Sequence, residues 1–403
     1  MLSLERDFLH DYRKELMRGD TRHGTPALFF HRPELLRFLY TSLPSDVQKR
    51  LIPGKAVTDI RTTADGNGLI VTCTDGTIEK GDIVVGADGI HSTVREIITH
   101  KRSLSRTPRT TETKPKPFVA KFRCLFGYTT HLIPGLQVRD ILEAHSAGTS
   151  TQVFVFPDKV LFMIYQKLSH PTTSNESESA RAQGDAGEKQ GRYTHSDQEE
   201  FIKQTGHLHI VSSEVGLKVK DLYNARQWSV LSDSHEGIME HWHAGGRERM
   251  VLVGDAVNKQ TPNFGHGWNC GVQDVVVLGN LLGGLVKKKE VVGEGVRGEE
   301  LDRLFDEYQG MRYGASRTCL EASMTVARMH AWDSWGLWFL DRWVAPVVSD
   351  GLWLKIYLKL LGPGPQMANG YVLDFLREKE RPKGLVPWVR ISRIEMEENG
   401  RES

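Results

Sequence analysis

Cysteine is scarce in this chain of 403 residues: Cys73, Cys124, Cys270 and Cys319 stand far apart, with no CxxC and no Cys/His ligand spacing. That argues against a disulfide scaffold or a zinc finger, and predicts reduced, buried thiols in a cytosolic-type compartment. Charge imbalance is missing too, since 52 basic and 51 acidic residues leave a formal net charge of +1. Such a balance supplies no field to hold a polyanion, so nucleic acid is not an expected partner. Secretion is not expected, because "MLSLERDFLHDYRKEL" threads charges through its apolar residues. Toward the chain's other end no run of about 18 apolar residues is left. The Trp- and Leu-rich stretches in 335–361 are broken by Asp341, Arg342, Pro346, Asp350 and Gly351. They suit a packed C-terminal helix pair first and a peripheral membrane contact second.

What is present reads as alternating helices and sheets. Leu4, Phe8, Leu9, Tyr12 and Leu16 are spaced for one helix, and "RPELLRFLYTSL" (32–43) for another. Short alternating runs between Gly and Asp turns over 55–81 predict a β-meander, feeding a buried strand at 82–87. A basic, Pro-dotted link is expected over 101–117. Period-2 patterning then predicts a mainly antiparallel unit over 118–244, with "TQVFVF" and "KVLFMIYQKL" as a hairpin around "PD". Within it, 169–197 has almost no apolar residues and predicts a mobile loop. Helical patterns follow at 271–288 and 299–330. The expected layout is thus 1–117 with 245–330, then 118–244, then a helical region at 331–403.

Chemistry concentrates in two stretches. In "VLVGDAVNKQTPNFGHGWNCGVQD" (251–274) an apolar strand ends on Asp255, where ligands bind in open α/β sheets. Pro262 then fixes the loop, Gly265 and Gly267 allow close backbone approach, and a helix from about Trp268 aims its N–H groups forward. In "DIVVGADGIHSTVRE" (82–96) another strand ends on Asp88-Gly89, and the following helix carries Ser92 and Arg95. Two acid-ended strands in one chain suggest two walls of one crevice.

These stretches, with "FFHRPELLRFLYTSLP", resemble the signatures of class A flavoprotein monooxygenases, the para-hydroxybenzoate-hydroxylase-like group, in order over roughly 25–330. The "HRPELL" start, the "HW" before the Gly-Asp strand and the Trp-rich C-terminal region are similar to fungal epoxidases and hydroxylases of terpenoid, meroterpenoid and indole-diterpene pathways. The resemblance implies an α/β fold: a three-layer FAD/NAD(P)-binding domain, an antiparallel-sheet substrate domain and C-terminal helices. It implies FAD as cofactor, NADPH as reductant and an apolar, prenylated or terpenoid substrate that is hydroxylated or epoxidised. It places Arg32 at the flavin and Asp255 on the ribityl chain. Pro262, Gly265, Gly267 and Asn269 would line the isoalloxazine ring and pyrophosphate, with Asp88 and Arg95 beside the pyrophosphate and the NADPH approach. A cytoplasmic location is implied, with membrane association through 335–361 as an addition.

The pattern departs from the family's in one large respect. Nothing before residue 32 resembles the strand-GxGxxG-helix that holds the FAD pyrophosphate, so the domain is expected to be incomplete at its N-terminus. The literal match "GEGVRG" (293–298) has no strand ahead of it and is expected to be a helix-helix loop. Losing about three phosphate hydrogen bonds of ~1.5–3 kcal/mol each would weaken FAD binding by roughly three to six orders of magnitude. Asn258 replaces the usual His after "GDA", His266 stands between the two glycines, and the Trp268 indole could crowd the flavin edge. A flavin-poor cyclase or isomerase and a non-catalytic binding relative are therefore the alternatives. His235, His241 and His243 have spacings of six and two, which suit a polar turn better than a metal, and no metal site is expected. Tyr308 and Arg312, at i,i+4 on a helix, are expected to pack.

Overall fold

The computed structural model describes residues 30–105, 118–131, 133–173, 193–210, 216–348, 370–371, 373–374, 388–389 and 391. The helix expected at 2–18 lies outside them. Pro33 and Glu34 in the first turn start α1, Arg32–Ser42, where a fixed φ and a negative charge both suit a helix N-terminus. Leu43 ends it in extended conformation because Pro44 follows. None of α1 is buried, and Leu36, Phe38 and Tyr40 are exposed.

The meander forms as expected: β1 (Val57–Thr62), β2 (Leu69–Cys73) and β3 (Ile78–Gly81) pair antiparallel in that order. β4, Val84–Gly86, then pairs in parallel with β10, Met250–Leu252, although about two fifths of the chain separates them. Gly86 permits this pairing, because a Cβ there would lie 2.7 Å from Leu252 and 2.8 Å from Val94. α2, Thr93–Ser105, follows β4. The first residues of the expected 101–117 link are therefore helical, since Arg102 is held by the carbonyl of His243 at 3.0 Å; 106–117 lie outside the described residues. Ile60, Leu69, Ile98, Val251, Leu252 and Phe305 belong to the core that joins these pieces.

The antiparallel sheet runs β11-β9-β5-β8-β7-β6, built from β5 (Val119–Thr129), β6 (Ile141–Ser146), β7 (Thr149–Val155), β8 (Val160–Thr173), β9 (Trp228–Ile238) and β11 (Asn258–Lys259). The last of these comes from beyond residue 244, so the sheet draws an edge strand from the loop after β10. The loop expected over 169–197 is also shorter than its composition suggests. β8 continues through Thr173 because Thr172 and Thr173 pair with Ala120 and Val119. At the other end α3, His195–Thr205, begins at a capping box in which Thr194 and Asp197 satisfy each other. Residues 174–192 lie outside the described ones.

Register gives the sheet two unlike faces, since directly paired residues share a side. Leu125, Val153, Phe162, Ile164 and Leu231 point one way and are fully buried against α3 and α4 (Val219–Asn224), with Phe201, Val219 and Leu222. On the other face Phe126, Tyr128, Phe154, Leu161 and Met163 are only partly buried. Two long helices complete the described fold, α5 (Gly267–Val292) and α6 (Gly298–His330). Gly293, at φ +70°, ends α5, so "GEGVRG" is a helix-helix connection. α5 is long and apolar enough to cross a membrane. Its buried Asp274 is paired with Arg312 of α6 at 2.8 Å, which marks it as a helix of the core. After α6, α7 (Trp335–Phe339) leads into a π-helical turn, Leu340–Val344. Trp335, Trp343 and Val347 are largely exposed there, and 352–361 lie outside the described residues.

Candidate functional site

The parallel pairing of β4 with β10 sets Val84 against Met250 and Gly86 against Leu252, so both acid-bearing exits leave the same edge. The Val253 N–H donates to the Gly86 carbonyl at 3.0 Å, extending the match to the last residue before each turn. Arg95 joins the turns directly. It is 7 % exposed, and its guanidinium donates to the carbonyls of Gly89 (3.3 Å), Ile90 (2.5 Å) and Ala256 (3.1 Å) while lying 4.8 Å over the Phe118 ring. Arg95 is thus a brace between the walls. Its donors are spent on backbone carbonyls, which revises the expectation that it meets a pyrophosphate.

Asp88 is likewise turned inward. Its carboxylate accepts from the Ser92 hydroxyl and, at 3.1 Å, from the Val94 N–H, capping α2. Asp255 behaves differently. It stands in the turn Gly254–Ala256, its side chain is 38 % exposed, and it accepts from the Lys259 ammonium at 2.5 Å. Gly254, at φ +61°, makes that turn possible. A Cβ on Gly271 would lie 3.5 Å from the Cα of Gly254, an ordinary contact, so α5 packs directly against the strand exit.

The loop after Asp255 delivers the remaining predicted residues. Pro262 opens a short 3₁₀ turn that Gly265 closes in left-handed conformation at φ +67°. Gly267 begins α5 with no side-chain cap, so its first N–H groups remain available. Trp268 and Asn269 are exposed on that first turn, and the Asn269 amide reaches the Gly265 carbonyl at 3.5 Å. Arg32 is exposed at the start of α1, which is fixed to the sheet's open side by the Glu34–Lys159 ion pair and by the His31 ring 5.4 Å from Tyr128. Among the described residues no ion pair or hydrogen bond links Arg32 to Asp88 or Asp255.

Beneath the loop lies a network that spacing alone did not identify. Asp274 accepts from the Gly254 N–H at 3.0 Å and from Arg312 at 2.8 Å, while the Tyr308 hydroxyl donates to the Leu252 carbonyl at 3.1 Å. All three side chains are buried, so Tyr308 and Arg312 pack as expected. Burial pushes the Asp274 carboxyl upward and Arg312 pulls it back. Asp274 closes the stretch that begins at Val251, and its position two turns into the helix was the available signal.

The three histidines before β10 do not converge. His235 is in β9, 6.2 Å from the His91 ring, His243 pairs with Asp306 at 3.0 Å, and His241 lies beside Glu240. The polar turn expected there begins as strand, because β9 runs to Ile238.

Parallel strand exits facing an uncapped helix start are the arrangement of an α/β nucleotide-binding fold. The "FAD binding domain" family model matches residues 58–312, and the chain belongs to that family, among the class A FAD-dependent monooxygenases. It is 28% identical over 386 residues to the FAD-dependent monooxygenase paxM of Penicillium paxilli, covering 93% of this chain and 71% of that one. It is 26% identical over 373 residues to penE of Penicillium thymicola, covering 92% and 71%. Among solved structures it is similar to an HpxO variant of Klebsiella pneumoniae complexed with FAD (TM-score 0.61, 17% identity, 86% and 76% covered). It is also similar to a salicylate hydroxylase substrate complex (TM-score 0.51, 16% identity, 82% and 75% covered).

The residues present fit the ring and ribityl half of FAD. Asp255 is an exposed acceptor at the strand exit, and α5 starts uncapped. Asn258 Oδ1, Gln260 Oε1 and Asn263 Nδ2 in the intervening loop are buried without a hydrogen-bond partner. Such atoms are expected beside a polar ligand or an ordered water.

Proposed function

We propose that this protein is an FAD-dependent monooxygenase that hydroxylates or epoxidises an apolar, prenylated or terpenoid secondary metabolite, with NADPH as reductant. The observation that carries this reading is the parallel β4–β10 pair, which sets the Asp88 and Asp255 exits side by side under one uncapped helix start. FAD, when bound, supplies reductive activation of molecular oxygen. The chain's own residues would position it: Asp255 would accept ribityl hydroxyls in exchange for Lys259, and the N–H groups after His266 would face the ring. Gln152, on the open face of the sheet, donates to the Asn263 carbonyl at 2.9 Å, so that face looks toward the flavin loop. Its half-buried Phe126, Tyr128, Phe154, Leu161 and Met163 favour an apolar substrate. The layout of 1–117 with 245–330 around a roof of 118–244 follows from the same reading. We assign the protein to the cytoplasm, with a peripheral membrane contact supported by exposed Trp335, Trp343 and Val347 beside Arg342.

The test is the visible absorption spectrum of the purified chain, with and without added FAD, followed by NADPH oxidation. A flavin band that survives desalting, with FAD-dependent NADPH consumption, is the expected result. A colourless chain that still transforms a terpenoid substrate would replace this reading with the non-redox one. A colourless, inert chain would make it a binding relative.

A further inference from the structure

A second set of chemistry-bearing side chains converges away from the strand exits. Glu143 and His145 are two residues apart on β6 and therefore share the open face of the sheet. His330 ends α6, and Asp341 stands in the π-helical turn after α7. Glu143, His330 and Asp341 are at most 5 % exposed, and the His145 side chain is 6 % exposed. One nitrogen or oxygen from each of Glu143, His145 and His330 lies within 4.8 Å of the others.

The surroundings fix these ligand atoms in orientation. His145 Nδ1 is 3.0 Å from the Asp341 carboxylate, which also accepts from Trp332 Nε1 at 2.7 Å. That contact sets the His145 tautomer and aims Nε2 at Glu143. The other oxygen of Glu143 is held by the Gln152 amide, itself bonded to the Tyr165 hydroxyl at 3.0 Å. His145 Nε2 and Glu143 Oε2 then face each other at 3.8 Å, both buried and neither hydrogen-bonded. This is too far for a proton to bridge. It is close to the ~3.3 Å between two donors that each lie about 2.0–2.1 Å from a common tetrahedral ion. A carboxylate behind a metal-binding imidazole is the arrangement that orients such ligands.

We propose that Glu143, His145 and His330 bind a divalent transition-metal ion, Zn²⁺ by donor type, which staples the end of α6 and the turn that follows it to the edge strand of the sheet. Asp341, Trp332 and Gln152 hold the ligands in place. The His145 and His330 rings are stacked, 3.8 Å between centroids and 21° apart, so loading turns the His330 ring until both nitrogens converge. The role is structural, and Gln152, which holds Glu143, joins the site to the Asn263 carbonyl of the flavin loop at 2.9 Å.

The test needs no FAD. The full chain is stripped with a chelator and dialysed, then titrated with ZnCl₂ by calorimetry, with elemental analysis and thermal melting alongside. A single Zn²⁺ per chain, bound at micromolar concentration or tighter and raising Tm, is expected. Glu143→Gln and His330→Gln should abolish that binding, while Asp341→Asn, which touches only the supporting layer, should weaken it about 10- to 100-fold. Absence of stoichiometric Zn²⁺ on the wild-type chain overturns the proposal, as does equal binding by the wild-type chain and the Glu143→Gln and His330→Gln variants. Should those variants not fold, the spectrum of the wild-type chain loaded with Co²⁺ decides. Tetrahedral d–d bands support the site, and an octahedral aquo-like spectrum sinks it.

Discussion

At the end of β4 the Asp88 carboxylate accepts two hydrogen bonds from the start of its own helix, whereas at the end of β10 the Asp255 carboxylate is 38 % exposed and meets Lys259. The difference comes from the residues on the C-terminal side of each acid. After Asp88 the chain supplies Ser92, whose hydroxyl accepts from the Arg95 N–H at 3.0 Å, so cap, turn and guanidinium lock together. After Asp255 it supplies a Pro- and Gly-bearing loop and a helix without a side-chain cap. One exit has been closed to build a wall, and the other has been left open to a ligand. Two copies of one local motif can thus divide construction and binding between them.

The largest effect should come from the network under the open exit. Asp274→Ala removes the partner of buried Arg312 and of the Gly254 N–H, and breaking a buried ion pair in this way costs about 3–5 kcal/mol. Thermal or urea unfolding should show a loss on that scale, and a loss under about 1 kcal/mol would mean that the exit is held by α5 packing alone. Next in size is Asp255→Ala, which removes an exposed acceptor. Stability should hardly change, while FAD affinity falls by ~1.5–3 kcal/mol, about 10- to 100-fold, in a flavin fluorescence titration. Asp88→Ala should do the reverse, lowering unfolding stability by about 0.5–2 kcal/mol with a smaller effect on FAD. If both substitutions weaken FAD equally and leave stability alone, the division of labour between the exits is wrong.

Sequence revealed the exits because a strand, a Gly-Asp pair and a helix start are contiguous, and contiguous chemistry survives without coordinates. It revealed Gly265 and Gly267 for the same reason. It did not reveal that Arg95 points inward, since the carbonyl of Ala256 lies far along the chain and meets Arg95 only once β4 and β10 are in register. The Glu143, His145, His330 and Asp341 cluster was invisible for a related reason: its members span about half of the chain, and only the position of β6 at the sheet edge brings α6 to them. Composition misjudged 169–173 because β pairing with Val119 and Ala120 outweighs local polarity. It misjudged 101–105 because the helix is held at a distance by the carbonyl of His243.

The smallest expected effect tests whether the two exits are coupled at the rear. His243 precedes β10 and bridges to Val251, and its carbonyl accepts from Arg102 near the end of α2, so it touches the element behind each exit. The Gly245 N–H donates to its Nδ1 at 3.2 Å, so that nitrogen carries no proton and Nε2 faces Asp306 at 3.0 Å. Burial lowers the His243 imidazole below its ordinary value, with Arg102 adding to the shift and Asp306 opposing it. A histidine held neutral by the fold binds its proton more readily when unfolded. Its contribution is therefore full above the unfolded value of about 6.5 and is lost as pH falls from there toward the lower folded value. Protonation of Nδ1 would also break the Gly245 bond at the turn that leads into β10. Melting temperature should decline between neutral pH and pH ~5.5, and His243→Gln should flatten that decline while leaving the melt at pH ~8 nearly unchanged. An unaltered slope in the variant would separate the rear of the two exits and leave Arg95 as their link.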